Sequence, residues 1–167
     1  ENTQVRFANI SIKASDEFMQ AVSEENEYGE DTYLIYKKNN KEFRKSAVQN
    51  EDSLHYSAGI PSKNISDYEL ISSFKSFEKL NQWLQDNTID SISVENFNNA
   101  QNRDLYGDYI IDIKNKDYDV AIKRAGDFLL YFDSTDTNEF RELIKARTLW
   151  DQFIEGNYKT AEPGLIF

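Results

Sequence analysis

The sequence predicts an α+β protein, on three observations. It has 167 residues, of which 39% are hydrophobic and 14% aromatic, so large side chains can build a substantial core from few positions. Segments with a period of two and segments with spacings of three and four occur in the same chain. The two kinds interleave irregularly, which argues against a regular βαβ alternation. Residues 1–167 are therefore expected to form one domain, in which an antiparallel or mixed sheet packs with helices and a C-terminal antiparallel helix pair covers one side. There is no interior linker, low-complexity tract or convincing repeat, and Asn9-Ile10-Ser11 recurring as Asn64-Ile65-Ser66 is too short to signal duplication.

Val5 to Lys13 is β-rich and reads as a first strand. Ser15 can cap a short helix, with Asp16 and Glu17 in its first turn, where the helix dipole favours acids. Phe18, Met19 and Val22 supply the face expected to be buried, the helix fades through Glu24-Glu25-Asn26-Glu27, and Gly29 marks its exit. Thr32 to Tyr36, a tight turn at Asn39-Asn40 and a return over Glu42 to Val48 predict a hairpin. Its basic tip holds Lys37, Lys38, Lys41, Arg44 and Lys45. A polar loop then runs to Lys63, with room for a short strand at Leu54 to Ser57.

Ile65 to Ser72 is expected to be a strand, and Phe77 to Gln85 a helix capped by Ser76, with Phe77, Leu80, Trp83 and Leu84 in one stripe. Ile89 to Phe97 reads as a further strand, and Asn96 to Arg103 as a polar loop. Leu105 to Ile113 alternates, with Leu105, Tyr109, Ile111 and Ile113 on one face. From Asp117 the apolar set Tyr118, Ala121, Ile122, Ala125, Phe128, Leu129 and Phe132 has the spacing of an amphipathic helix. Asp133 to Thr137 is a turn, and Asp136 with Glu139 resembles a capping box for a second helix. That helix would bury Phe140, Leu143, Ile144, Trp150 and Ile154 and stop at Gly156-Asn157. Leu165 to Phe167 could add an edge strand.

Function is narrowed first by exclusion. The chain has no cysteine, which rules out disulfides, thiolate nucleophiles and cysteine metal sites. A Ser-His pair would need His55, the only histidine, which lies in a polar stretch with no G-x-S-x-G elbow. The six glycines are far apart, so no phosphate-cradling loop exists. The acid pairs Asp117/Asp119 and Asp133/Asp136 lack the central Gly and terminal Glu of a calcium loop, and helix starts and turns explain them better. No cofactor or metal is expected. Asn9 and Asn64 match the glycosylation pattern only as an Asn- and Ser-rich chain does by chance. No apolar run is long enough for a membrane span.

Charge supplies the positive signal. There are 30 acids against 19 basic residues, a net charge of −11. Residues 16 to 31 hold seven acids and no Lys or Arg. Direct nucleic-acid binding is disfavoured, and the basic tip at Lys37 to Lys45 is the kind of edge that blocks strand pairing. An acidic segment beside tyrosines would attract a basic protein partner and then anchor on it. The candidate partner-binding residues are Glu24, Glu25, Glu27, Tyr28, Glu30, Asp31 and Tyr33. The expected function is a non-enzymatic, acidic binding protein that neutralises a basic partner. An immunity protein of a bacterium, held in the cytoplasm against a toxin such as a nuclease, fits that description best. Alternatives are a phage-encoded inhibitor or DNA mimic, a carboxylate-dependent hydrolase with two acids in a cleft, and a structural module of an exported protein. The exported alternative is raised by a first residue, Glu1, that is not Met.

Overall fold

The computed structural model describes residues 12–13, 16–39, 41, 63–134, 138–155 and 165–166. Their order is β1 (Ile12–Lys13), α1 (Asp16–Tyr28), β2 (Tyr33–Asn39), β3 (Tyr68–Phe74), α2 (Phe77–Asp86), α3 (Val94–Asn98), β4 (Tyr109–Asp112), β5 (Tyr118–Arg124), β6 (Asp127–Ser134), β7 (Asn138–Lys145), α4 (Ala146–Ile154) and β8 (Leu165–Ile166). Helices and antiparallel sheets together make the chain α+β. The strand at Glu42 to Val48, the short strand at Leu54 to Ser57, His55, the Ser15 cap, Asp136 and the Gly156-Asn157 stop all lie outside the described residues.

The central element is a four-stranded antiparallel sheet of order β3-β2-β5-β4. Register fixes what each face carries, because directly opposite residues share a face. Tyr33 and Ile35 of β2, Ile122 and Val120 of β5, and Tyr109 and Ile111 of β4 share one face. Leu80 and Leu84 of α2, with Ile92 and Phe97, close an apolar core over it. The Ser76 hydroxyl accepts the Lys79 N–H at 3.1 Å and starts α2 where the sequence places it. The opposite face carries Leu34 beside Lys123, Tyr36 beside Ala121, and Lys38 beside Asp119. A second core lies between α1, α4 and the β6–β7 hairpin, built on Phe18, Ala21, Val22, Leu130, Ala146 and Leu149.

Several expectations are corrected. The C-terminal helix pair does not form: residues 118–145 make three strands, and only Ala146–Ile154 is helical. β5 is a central strand buried on both faces, so its apolar residues run continuously and mimic helical spacing by coincidence. Gly126, with φ of 89°, turns the chain sharply out of β5 into β6, which pairs with β7 in a separate sheet. Phe140 to Ile144 accordingly belong to a strand, Glu139 caps no helix, and Ile154 is exposed. Ile89 to Phe97 is not a strand. Ile89 to Ser93 is irregular and Val94–Asn98 is a short helix capped by the Ser93 hydroxyl. The strand expected from Leu105 begins only at Tyr109. β2 pairs with β3 and β5 among the described residues, β3 starts at Tyr68 after a 3-10 turn at Ile65–Asp67, and Met19 is exposed while Ala21 takes its place in the core. The final strand does form, as β8, which pairs in parallel with β1.

Candidate functional site

The acidic segment divides between the interior and the surface. Glu24 faces the sheet and is only 2% exposed. Its carboxylate sits 3.0 Å from the Lys123 ammonium, itself 4% exposed, and accepts the Gly126 N–H at 2.8 Å. Glu24 is thus a structural counter-ion and is corrected out of the partner-binding set. Tyr33 is corrected too: its ring lies on the apolar face of the sheet, 5.6 Å from Phe77 and 5.8 Å from Phe97. Tyr28 is half-buried beside Leu34 and Tyr36, and burial, followed by the charge of Glu27, raises its phenol above the ordinary range. Glu25 is half-buried, whereas Glu27, Glu30 and Asp31 are exposed.

Glu27 stands on the last turn of α1, and the short loop that follows, with Glu30 and Asp31, is held by several hydrogen bonds. Gly29, with φ of 99°, ends α1 by donating its N–H to Glu25 O at 2.9 Å. The Thr32 hydroxyl donates to Tyr28 O at 2.8 Å, and the Ala125 N–H donates to Thr32 O at 2.7 Å. Lys75 reaches in from the end of β3 and donates to Tyr28 O at 2.9 Å and to Thr32 Oγ1 at 2.7 Å. Asp31 adopts φ of 63° with its side chain 74% exposed, and the Arg124 guanidinium stands 4.0 Å away.

A second cluster was not anticipated from the sequence. Asp108 is fully buried, with a carboxylate oxygen 2.9 Å from the Lys63 ammonium. Lys63 in turn lies 4.2 Å from the centre of the Tyr68 ring, and Tyr68 meets Tyr36 edge-on. Asp104 closes the adjoining turn: its Oδ1 accepts the Tyr106 N–H at 3.0 Å and the Asp108 N–H at 2.9 Å. Burial and then the neighbouring Asp108 push the Asp104 carboxyl up to about 7, the two backbone hydrogen bonds and Lys63 acting against them. Burial would lower the Lys63 ammonium, but Asp108 and Asp104 outweigh it and hold it above its ordinary value. Burial first, and the surrounding carboxylates next, raise the phenols of Tyr36 and Tyr68.

Arg103 forms a third polar node. It donates twice to Phe97 O, at 2.9 and 2.7 Å, once to Gly107 O at 2.7 Å, and approaches Asp127 at 3.2 Å. Asp127 also binds Lys145 at 3.1 Å and the Arg124 N–H at 3.0 Å. Every contact joins protein groups to one another, so this node ties α3 to the β6–β7 hairpin. Arg103 lies in a polar stretch that gives no sign of its burial, and an alternating reading of Tyr118 to Arg124 is the signal that would have placed Lys123 on the same face as Asp119.

No group of three or more potential metal ligands occurs among the described residues, and no described helix is long and apolar enough to cross a membrane. Comparison with protein families, with curated proteins and with solved structures matches none of them to this chain.

Proposed function

We propose that this chain is an acidic binding protein that neutralises a basic protein partner, as an immunity protein does to a toxin. The observation that carries the reading is the pinned acidic loop. Glu27, Glu30 and Asp31 project from a backbone fixed by Gly29, Thr32, Ala125 and Lys75. Charges on a loop ordered beforehand lose little freedom on binding, so more of their attraction appears as affinity. Lys75 hydrogen-bonds the neutral Tyr28 O and Thr32 Oγ1, and the described ion pair to these acids is the exposed, 4.0 Å contact of Arg124 with Asp31. Tyr28 adds an apolar shoulder at the base of the loop.

The test is capture of partners from native lysate at low and moderate salt, followed by the triple variant Glu27→Gln/Glu30→Gln/Asp31→Asn. One basic protein in stoichiometric amount is expected, with affinity falling at least about tenfold in the variant and the melting temperature unchanged. If the variant binds the same protein equally well, the acidic loop is not the binding surface.

A carboxylate-dependent hydrolase is a second reading, favoured by the Asp104/Asp108 pair and the raised Asp104 carboxyl. It ranks below the first because both carboxylates already serve the fold, Asp104 as a turn acceptor and Asp108 as the Lys63 counter-ion. Turnover of a glycoside panel that Asp104→Asn abolishes would reverse that order.

A further inference from the structure

The four-stranded sheet ends in β4, which among the described residues is paired on one side only, with β5. Beyond its outer edge lies a groove of about 700 Å³, with Tyr109 to Lys114 as one wall and Asn87 to Ile92 as the other. Six residues of extended chain span roughly 20 Å, so the groove is long enough for a five- or six-residue strand. The facing wall does not depend on β4 for its hydrogen bonds. The Asn81 amide donates to Ile92 O at 3.0 Å and accepts the Ile92 N–H at 2.9 Å, holding that segment as a neighbouring strand would.

In an antiparallel pair every second residue turns its N–H and C=O away from its partner, so β4 presents a row of backbone groups to this groove. Proteins commonly blunt such edges by shortening the strand or with bulges, prolines or charged side chains. β4 is short, at four residues, and ends in Asp112, but it carries no bulge, proline or lysine, and its register with β5 is unbroken from Tyr109 to Asp112. Its side chains Tyr109, Ile110 and Ile111 offer apolar contacts on alternating faces.

Charge selects the occupant. The groove walls carry two exposed acids, Asp90 on one and Asp112 on the other, against Lys114, and Asp86 and Glu95 are exposed in the elements that flank the Asn87 to Ile92 wall in sequence. One lysine already demonstrates the chemistry at the end of the strand. Lys41 donates to Ile113 O at 2.8 Å and to the Asp112 carboxylate at 2.6 Å, bridging a carbonyl and an acid.

We propose that the outer edge of β4 accepts an extended, lysine-bearing segment of the basic partner as a fifth strand of the sheet. The proposal rests on the basic-partner reading above and adds a place and a mode of contact. Main-chain hydrogen bonds supply affinity, alternate apolar side chains seat beside Ile111 and Ile92, and lysines reach Asp90 and Asp112.

The experiment titrates the ¹⁵N-labelled protein with three probes at low salt and follows its amide signals. The first is the capped peptide Lys-Ile-Lys-Val-Lys. The second is the same peptide with alternate backbone nitrogens methylated, which removes strand pairing and keeps the charge. The third is polylysine. Saturable shifts at Tyr109 to Lys114 and Asn87 to Ile92 are expected with the first, weakened at least about tenfold by methylation or by Asp90→Lys. No binding by the first peptide, equal binding by the methylated one, or shifts confined to Glu27, Glu30 and Asp31 would each overturn the β4 proposal. Polylysine separates the two claims. If it shifts the acidic loop while β4 stays silent, the basic-partner reading stands without this site, and if it shifts no residue, both fall.

Discussion

Replacing Glu24 with glutamine distinguishes a structural carboxylate from a partner-binding one. Glutamine keeps the acceptor for the Gly126 N–H and nearly the same volume, so the change is one of charge. It leaves the Lys123 ammonium 4% exposed with its counter-ion, formerly 3.0 Å away, removed. Breaking a buried ion pair by removing one partner costs roughly 3–5 kcal/mol, because the remaining charge keeps its desolvation penalty. For a chain of this size that lowers Tm by roughly 6–20 °C. Urea melts at pH 7 of the wild type, Glu24→Gln, Lys123→Met and the double variant Glu24→Leu/Lys123→Met would measure it. The double variant has both charges gone but also leaves the buried Gly126 N–H without its acceptor, so it is expected about 1–3 kcal/mol below wild type and no worse than Glu24→Gln alone. A single-variant cost below about 1 kcal/mol, together with a loss of partner affinity as large as that of the acidic-loop variant, would refute the reasoning and return Glu24 to the surface.

Other consequences are open to measurement. The Asp104 carboxyl is raised to about 7 in the fold from an unfolded value near 3.8, so the native state binds the extra proton between those pH values. Stability should therefore fall as pH rises from about 4 through 7, and in Asp104→Asn, which keeps the Oδ1 acceptor, that slope should flatten in melts across this range. Asn81→Ala removes both hydrogen bonds to Ile92 and should cost about 1–3 kcal/mol, with hydrogen exchange accelerated at Ile89 to Ser93 but not in β2. Gly126→Ala forces φ of 89° on a residue whose Cβ would stand 3.0 Å from Glu25 Cγ, and should cost about 1–3 kcal/mol in the same melts.

Local signals were the most legible in the sequence. The Ser76 cap, the amphipathic stripe of α2 and the Gly29 exit of α1 all depend on a few adjacent residues, and each appears where it was expected. The turn expected from Asp133 does not start there, because Asp133 and Ser134 still pair with Glu139 and Asn138 as strand. The strands β5 to β7 have the apolar spacing of helices because both faces of β5 are covered, so apolar residues fall on both of its sides and its weak alternation is masked. The glycine at 126 was the missed clue, since a left-handed residue breaks a helix but suits a corner between sheets. Within the acidic segment, composition gave the same weight to Glu24 and Glu27. The helix separates them: Glu24 points towards Lys123, 99 positions further along the chain, a long-range contact that no local pattern encodes. The Lys63–Asp108 pair was hidden for the same reason.

The two borders of the four-stranded sheet are unlike. On the β3 side the register slips between Ile35 and Tyr36, leaving Ile71 without an opposite residue and 40% exposed, while β4 runs straight. A bulge twists an edge away from flat pairing. For copies of this chain to stack head to tail, the β3 border of one would have to lie flat against the β4 border of the next, and the bulge works against that fit. The asymmetry thus separates the proposed pairing of β4 with another chain's strand from head-to-tail stacking of this chain on itself.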